Sequence, residues 1–163
     1  MTAQFHPHRR VVLLAATALA ACGKAALAAD PYAASPFRKL SPADWRARLP
    51  SESFDVLRQE GTERPFTSPL NTEHRPGTFV CLGCGLPLFK SRWKFDSGTG
   101  WPSFFTAING ALLKKTDMKI GIPRTEYHCA RCLGHQGHVF DDGPAPTGLR
   151  YCNNGVALKF IPG

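Results

Sequence analysis

The order of apolar and polar positions divides the chain into three stretches. The first is an apolar run, Val11 to Ala21, behind a basic start at His8-Arg9-Arg10. It is about half the roughly 20 residues that span a bilayer, so it predicts an export signal and no membrane-spanning segment. The second stretch reads as helix. Ser41 as N-cap and Pro42 at the first helical position start one that ends near Leu49-Pro50. Ser51 caps another over Glu52 to Glu60, with Phe54, Val56 and Leu57 as its apolar contacts and Gly61 as its stop. Both helices are expected to pack on the body and to carry no chemistry. Beyond Gly61 the apolar residues come in short runs: Thr78–Leu82, Pro87–Lys90, Trp93–Asp96, Thr125–Ala130, Gly137–Phe140, Leu149–Asn153 and Val156–Ile161. Gly, Pro, Asn and Asp separate them, which predicts short strands in an antiparallel sandwich or open barrel. The expected organisation is an export signal over 1–29, a linker over 30–40 and one domain over 41–163.

Composition adds little to that picture. The formal net charge is +8, but three of the 20 basic residues lie in the acid-free first 28, which leaves 17 against 12 acids. No Lys/Arg run interleaved with aromatics is present, so no nucleic-acid partner is expected. Nothing points to an oligomer, and a monomer is expected.

The signal has two possible routes and two possible ends. Arg9-Arg10-Val11-Val12-Leu13 resembles a twin-arginine signal, and a general secretory signal fits equally. Leu19-Ala20-Ala21-Cys22 resembles a bacterial lipobox, with a lipid anchor at Cys22; Ala26-Leu27-Ala28 offers ordinary cleavage instead. Either way the expected location is the bacterial envelope, as a periplasmic protein or a lipoprotein.

The candidate chemistry lies in the cysteines. Cys81-Leu82-Gly83-Cys84 and Cys129-Ala130-Arg131-Cys132 are two Cys-x-x-Cys pairs with 44 residues between Cys84 and Cys129. Each pair can turn two sulfurs toward one ion, and four thiolates suit tetrahedral zinc in a structural, closed site. Two disulfides are the competing reading for an exported protein. Cys152 is left over. Arg150, two residues before it, shares its face on an extended strand and is expected to lower the thiol pKa. His135 and His138 can move protons near neutral pH. Asp141 and Asp142 read first as turn formers, with orientation of a histidine or pairing with Arg150 as a second role. Phe104 and Phe105 read as core, and Trp101, between Gly100 and Pro102, as the wall of a small apolar pocket.

Several motifs together resemble the methionine-R-sulfoxide reductases of the B type. They are Gly61-Thr62-Glu63-Arg64-Pro65-Phe66, both Cys-x-x-Cys pairs, Lys94 to Gly98, Gly100 to Phe104, Arg124-Thr125-Glu126, His135 to Pro144, and Pro146 to Asn154. The resemblance runs from about Ser41 to Phe160. It implies a mainly β fold of two antiparallel sheets with short N-terminal helices and a structural zinc on Cys81, Cys84, Cys129 and Cys132. It implies Cys152 as the nucleophile that takes oxygen from the sulfoxide, with His138 and His135 as the acid pair. Arg150 would stabilise the thiolate, Asn154 would position polar groups, and Trp101 and Phe140 would hold the substrate methyl group. Oxidised proteins are the implied substrates, and a thioredoxin-like protein or another thiol the reductant. One position departs from the family: Thr99 stands where many members carry a resolving cysteine, so a one-cysteine cycle is expected. A zinc-clipped β module that binds ligand without catalysis, and a thiol peroxidase, are the alternatives; sulfoxide turnover separates both from the reductase.

Overall fold

The computed structural model describes residues 1, 2 and 30–163. The export-signal expectations, Arg9, Arg10 and Cys22 included, lie outside the described residues. Helix α1 spans Pro42–Arg48 and starts as its sequence predicts. The Asp44 N–H donates to Ser41 Oγ at 3.2 Å and the Ser41 N–H to Asp44 Oδ2 at 2.9 Å, which closes a capping box. Helix α2 spans Ser51–Gln59 and differs from expectation at both ends. Pro50 is its N-cap, because the Pro50 carbonyl already accepts the Phe54 N–H at 2.8 Å. Glu60, not Gly61, takes the left-handed conformation (φ 56°). A Cβ at 61 would lie 2.3 Å from Asp55 Oδ2, so any larger residue there would require that exposed carboxylate to turn away. The stretch read as a linker is docked on the domain. Its 3-10 turn, Pro36–Lys39, stacks Phe37 on Trp45 at 6.3 Å, and Arg38 Nη2 donates to the Ala130 carbonyl at 2.6 Å.

Among the described residues nine strands form two antiparallel sheets, as the resemblance implied. They are β1 (Gly77–Cys81), β2 (Pro87–Lys90), β3 (Lys94–Phe95), β4 (Ser103–Phe104), β5 (Leu112–Asp117), β6 (Arg124–Cys129), β7 (His135–Phe140), β8 (Arg150–Asn153) and β9 (Leu158–Pro162). The small sheet has the order β2-β1-β9 and the large one β3-β4-β8-β7-β6-β5. Two strands were not expected. Strand β4 is only two residues long and reads as loop. Strand β5, Leu-Leu-Lys-Lys-Thr-Asp, does not alternate, because it is a mostly exposed edge strand. Its lysines keep that edge from pairing with another chain.

The core lies between the sheets. Phe79, Leu88 and Phe89 face it from the small sheet, and Phe104, Tyr127 and Tyr151 from the large one. Phe89 stacks on Phe104 with ring centroids 4.2 Å apart, and Tyr127 meets Tyr151 edge-on at 5.4 Å. Such pairs contribute about 0.5–1.5 kcal/mol each beyond their burial. Among the described residues no helix is long and apolar enough to cross a membrane.

Candidate functional site

The two Cys-x-x-Cys pairs meet. Cys81 ends β1, Cys84 lies in the turn to β2, Cys129 ends β6 and Cys132 lies in the turn to β7, so the cluster joins the two sheets. Both turns have the same build. The Gly85 N–H donates to the Cys81 carbonyl at 2.8 Å, and the Leu133 N–H to the Cys129 carbonyl at 2.9 Å. Gly85 (φ 72°) and Leu133 (φ 61°) are both left-handed, so the second turn uses a leucine there and not Gly134. The four sulfurs lie within 4.8 Å of one another, with Cys81–Cys132 at 3.6 Å and Cys84–Cys129 at 3.5 Å. All five cysteines among the described residues are free, so the disulfide alternative is not realised. The neighbouring thiols Cys129, Cys132 and Cys84, and after them burial, push the Cys81 thiol up, and four adjacent thiolates repel unless a cation sits among them. The cluster is a possible metal site. Gln136 Nε2 donates to Cys81 Sγ at 3.4 Å, and Arg58 Nη1 to the Cys132 carbonyl at 3.0 Å, which brings α2 onto the site.

Cys152 lies in the large sheet. The strand register sets Ser103 opposite Cys152, Cys152 opposite His138, His138 opposite Glu126, and Glu126 opposite Lys115. Directly opposed residues share a face, so these five form one polar row across β4, β8, β7, β6 and β5. Arg150 and Phe140, two residues along their strands, join that face, and Arg150 lies over the Phe140 ring at 4.4 Å.

Each member of the row has a partner that fixes it. His138 Nε2 is 2.7 Å from Asp117 Oδ2, and Asp117 also accepts from Arg124 Nη2 at 2.6 Å. The Lys119 N–H, His138 and Arg124 hold the Asp117 carboxyl well below the usual range. Burial pushes the His138 pKa down, and Asp117 opposes it only in part. His135 Nδ1 is 2.9 Å from Glu126 Oε1, and the two histidine rings meet edge-on at 5.5 Å. Arg150 makes a two-pronged pair with Asp142, both contacts at 2.8 Å. This is the second role considered for that aspartate. The expected lowering of the Cys152 pKa is outweighed. Burial pushes the thiol up, and Arg150 and the Thr99 hydroxyl pull it back only in part. Part of the Arg150 charge is spent on Asp142.

Asn154 and Trp101 are joined through a residue that the sequence did not single out. Asn154 Oδ1 accepts the Glu63 N–H at 3.0 Å, and Trp101 Nε1 donates to the Glu63 carbonyl at 3.2 Å. The Glu63 carboxylate, 3% exposed, accepts from the Gly155 N–H at 2.5 Å and the Val156 N–H at 2.9 Å. Burial raises its pKa, and the two N–H donors counter that. Asn154 Nδ2 donates to the Gln136 carbonyl at 2.9 Å, so both ends of its side-chain amide hold backbone. Trp101 lines a cavity of about 240 Å³ with Phe66 and Phe95, but Asn71, Lys94 and Asp96 line it too, so the pocket is mixed and not apolar. Phe140 lines a different groove, with Ile120 and Ile122, so the two aromatics do not share a cavity.

Glu63, Asp117 and Gln136 were missed. Asp117 lies on the unexpected strand β5. Glu63 stood inside a motif, but nothing local marks a glutamate that binds backbone more than ninety residues away.

A half-buried thiol that faces a histidine tied to a carboxylate can attack an electrophile while a proton arrives from the next strand. The comparisons agree with that chemistry. The SelR domain family matches residues 49–162. The peptide methionine sulfoxide reductase MsrB of Pseudomonas putida (strain W619) is 55% identical over 120 residues, covering 73% of this chain and 90% of the relative. That of Thiobacillus denitrificans is 54% identical over 121 residues, covering 74% and 92%. That of Agrobacterium fabrum is 50% identical over 129 residues, covering 78% and 96%. The chain belongs to the SelR-domain family, that of the MsrB peptide methionine sulfoxide reductases.

Proposed function

We propose that this protein reduces methionine sulfoxide in oxidised proteins, acting on the R epimer, through a sulfenic acid on Cys152. The observation that carries the reading is the register of Cys152 against His138 in a chain of this family. The Cys152 thiolate attacks the sulfoxide sulfur and His138 delivers a proton to its oxygen. The oxygen passes to Cys152 as the sulfenic acid while methionine leaves as the thioether. Two external thiol groups then reduce the sulfenic acid, releasing water and a disulfide. His135, held by Glu126, braces the His138 ring. Arg150 favours the thiolate. Trp101 borders the substrate, Phe140 lies under the Arg150 guanidinium, and Asn154 acts through the Glu63 backbone.

Zinc is the ion that fits the four cysteines. Zn–S bonds of about 2.3 Å in a tetrahedron separate the sulfurs by about 3.8 Å, close to the 3.5 and 3.6 Å seen. Bound there, it supplies folding energy by cross-linking the sheets. The reductant is a thioredoxin-like protein or another thiol. The protein acts as a monomer in the bacterial envelope, exported by the twin-arginine or general secretory route, in the periplasm or on a lipid anchor at Cys22. By the twin-arginine route, which carries folded proteins, the metal would be loaded before export and would protect the four thiols from oxidation.

The test is dithiothreitol-dependent reduction of separated R and S sulfoxide epimers in a peptide, with Cys152→Ser beside the unaltered protein. Turnover of R alone, lost in the variant, is expected. No turnover by folded, metal-loaded protein would overturn the proposal.

A further inference from the structure

The chain that precedes β1 packs over the two sulfur-bearing turns. Three guanidinium groups donate to backbone carbonyls of those turns. Arg38 Nη2 reaches the Ala130 carbonyl at 2.6 Å, and Arg58 Nη1 the Cys132 carbonyl at 3.0 Å. Arg131 Nη1 crosses from its own turn to the Cys84 carbonyl of the other, at 3.1 Å. Four thiolates around a divalent ion keep about two negative charges, and the three cations offset them.

Residues 30–40 lie before the part of the chain that the family matches, yet they take hold of both turns. Asp30 Oδ2 pairs with Arg38 Nη1 at 2.6 Å and so fixes the guanidinium that holds Ala130. Arg131 lies over the Tyr32 ring at 5.7 Å, within range of a cation–π contact. Phe37 stacks on Trp45, and a Cβ at Gly83, inside the first turn, would lie 3.3 Å from the Trp45 ring. Loss of an ion from such a site requires a sulfur to swing away, and a sulfur in a Cys-x-x-Cys turn moves with the turn backbone. Cys84 is half-buried and the other three ligands are buried, so the Cys84 turn has the easier way out. Arg131 holds that turn, while Arg38 and Arg58 hold the other. Hydrogen bonds from a charged donor are stronger than neutral ones.

We propose that residues 30–40 form a clasp on the metal centre. Through Arg38 on Ala130 and Tyr32 on Arg131 they keep the two turns from opening and so slow the loss of zinc. This inference rests on the zinc reading of the four cysteines and is independent of the chemistry at Cys152.

The experiment uses the full chain, loaded with zinc, with Arg38→Met, Arg38→Lys, Tyr32→Ala and Arg46→Met. Arg46 is exposed on α1 over the Phe54 ring, so its variant is the control for loss of a positive charge. Two quantities are read at one neutral pH. One is the rate of zinc transfer to excess pyridylazoresorcinol. The other is amide hydrogen exchange, by peptide mass, over residues 129–134 and over 158–162 as the reference. Arg38→Met is expected to release zinc about tenfold faster, the worth of one hydrogen bond from a charged group. Exchange should quicken over 129–134 and stay unchanged over 158–162. Arg38→Lys keeps the charge and should fall between Arg38→Met and the unaltered protein. Tyr32→Ala should show a smaller rise, and Arg46→Met should match the unaltered protein. A folded Arg38→Met protein that releases zinc at the unaltered rate would overturn the proposal. So would faster exchange in both peptides, or equal acceleration in Arg46→Met, since either marks a general loss of stability. If Arg38→Met does not fold, an unaltered release rate in Tyr32→Ala would overturn it. An unaltered protein that binds no zinc would instead count against the metal reading, and exchange over 129–134 would still decide whether Arg38 holds the turn.

Discussion

Cys81 and Cys152 lie on strands of different sheets, and their surroundings differ in kind. Cys81 is buried among three other sulfurs and the Gln136 amide. Those groups suit a cation and leave no room for a substrate. Cys152 is half-buried, without a second thiol, and faces a histidine, an arginine and hydroxyls. The first set joins two sheets through sulfur. The second is held by hydrogen bonds within one sheet. Cysteine therefore takes its role from its neighbours, and in this fold the neighbours come from strand register. The two sites also touch through polar side chains. Gln136 donates to Cys81, and its Oε1 accepts from Asn153, next to Cys152, at 3.4 Å.

The comparison breaks most sharply at Cys152 itself. Cys152→Ser should cut sulfoxide turnover on the order of a thousandfold or more, while thermal unfolding stays within a few degrees. If activity survives, the reactive thiol lies elsewhere. Cys129→Ser should act the other way. Loss of one ligand lowers stability by at least about 3 kcal/mol, and metal analysis should show the ion gone. Denaturant melts check the first figure, and activity at low temperature should fall only with the folded fraction.

Asp117→Asn sharpens the picture of the acid. Turnover should fall about tenfold, in line with the loss of a group that orients another. The pH profile of kcat/KM supplies the sign. Attack needs Cys152 deprotonated, and its pKa is raised; proton delivery needs His138 protonated, and its pKa is lowered. The productive form is then constant between the two pKa values, lost below that of His138 and lost above that of Cys152. Removing the Asp117 charge lowers the His138 pKa further, so the acidic limb should move to lower pH. An acidic limb that stays in place would show that another group titrates there. Glu63→Gln is the smallest change. An amide cannot accept both the Gly155 and Val156 N–H groups with one oxygen as the carboxylate does with two, at a cost of about 1–3 kcal/mol. A looser Trp101 should raise KM for the sulfoxide peptide more than it lowers kcat, and steady-state kinetics would separate the two.

Parts of this site were legible because their signals are local. The α1 cap is read from Ser41 and Pro42 alone. The paired Cys-x-x-Cys spacing names four ligands before any fold is known, and it leaves Cys152 unassigned. Strand β5 was not legible, since an exposed edge strand has no buried face to impose alternation. Asp117 disappeared with it. Glu63 gives no local sign, because its partners at Gly155 and Val156 arrive by tertiary contact.

The sequence by itself determined the residue types and the short-range geometry: helix caps, turns, two Cys-x-x-Cys pairs and a spare thiol two residues from an arginine. These depend on interactions within a few residues. Only the tertiary structure decided that the two pairs share one site, that Cys152 faces His138, and that its pKa rises despite Arg150. Burial is set by packing from the whole chain, and desolvation of a thiolate outweighs one arginine that is already shared with Asp142.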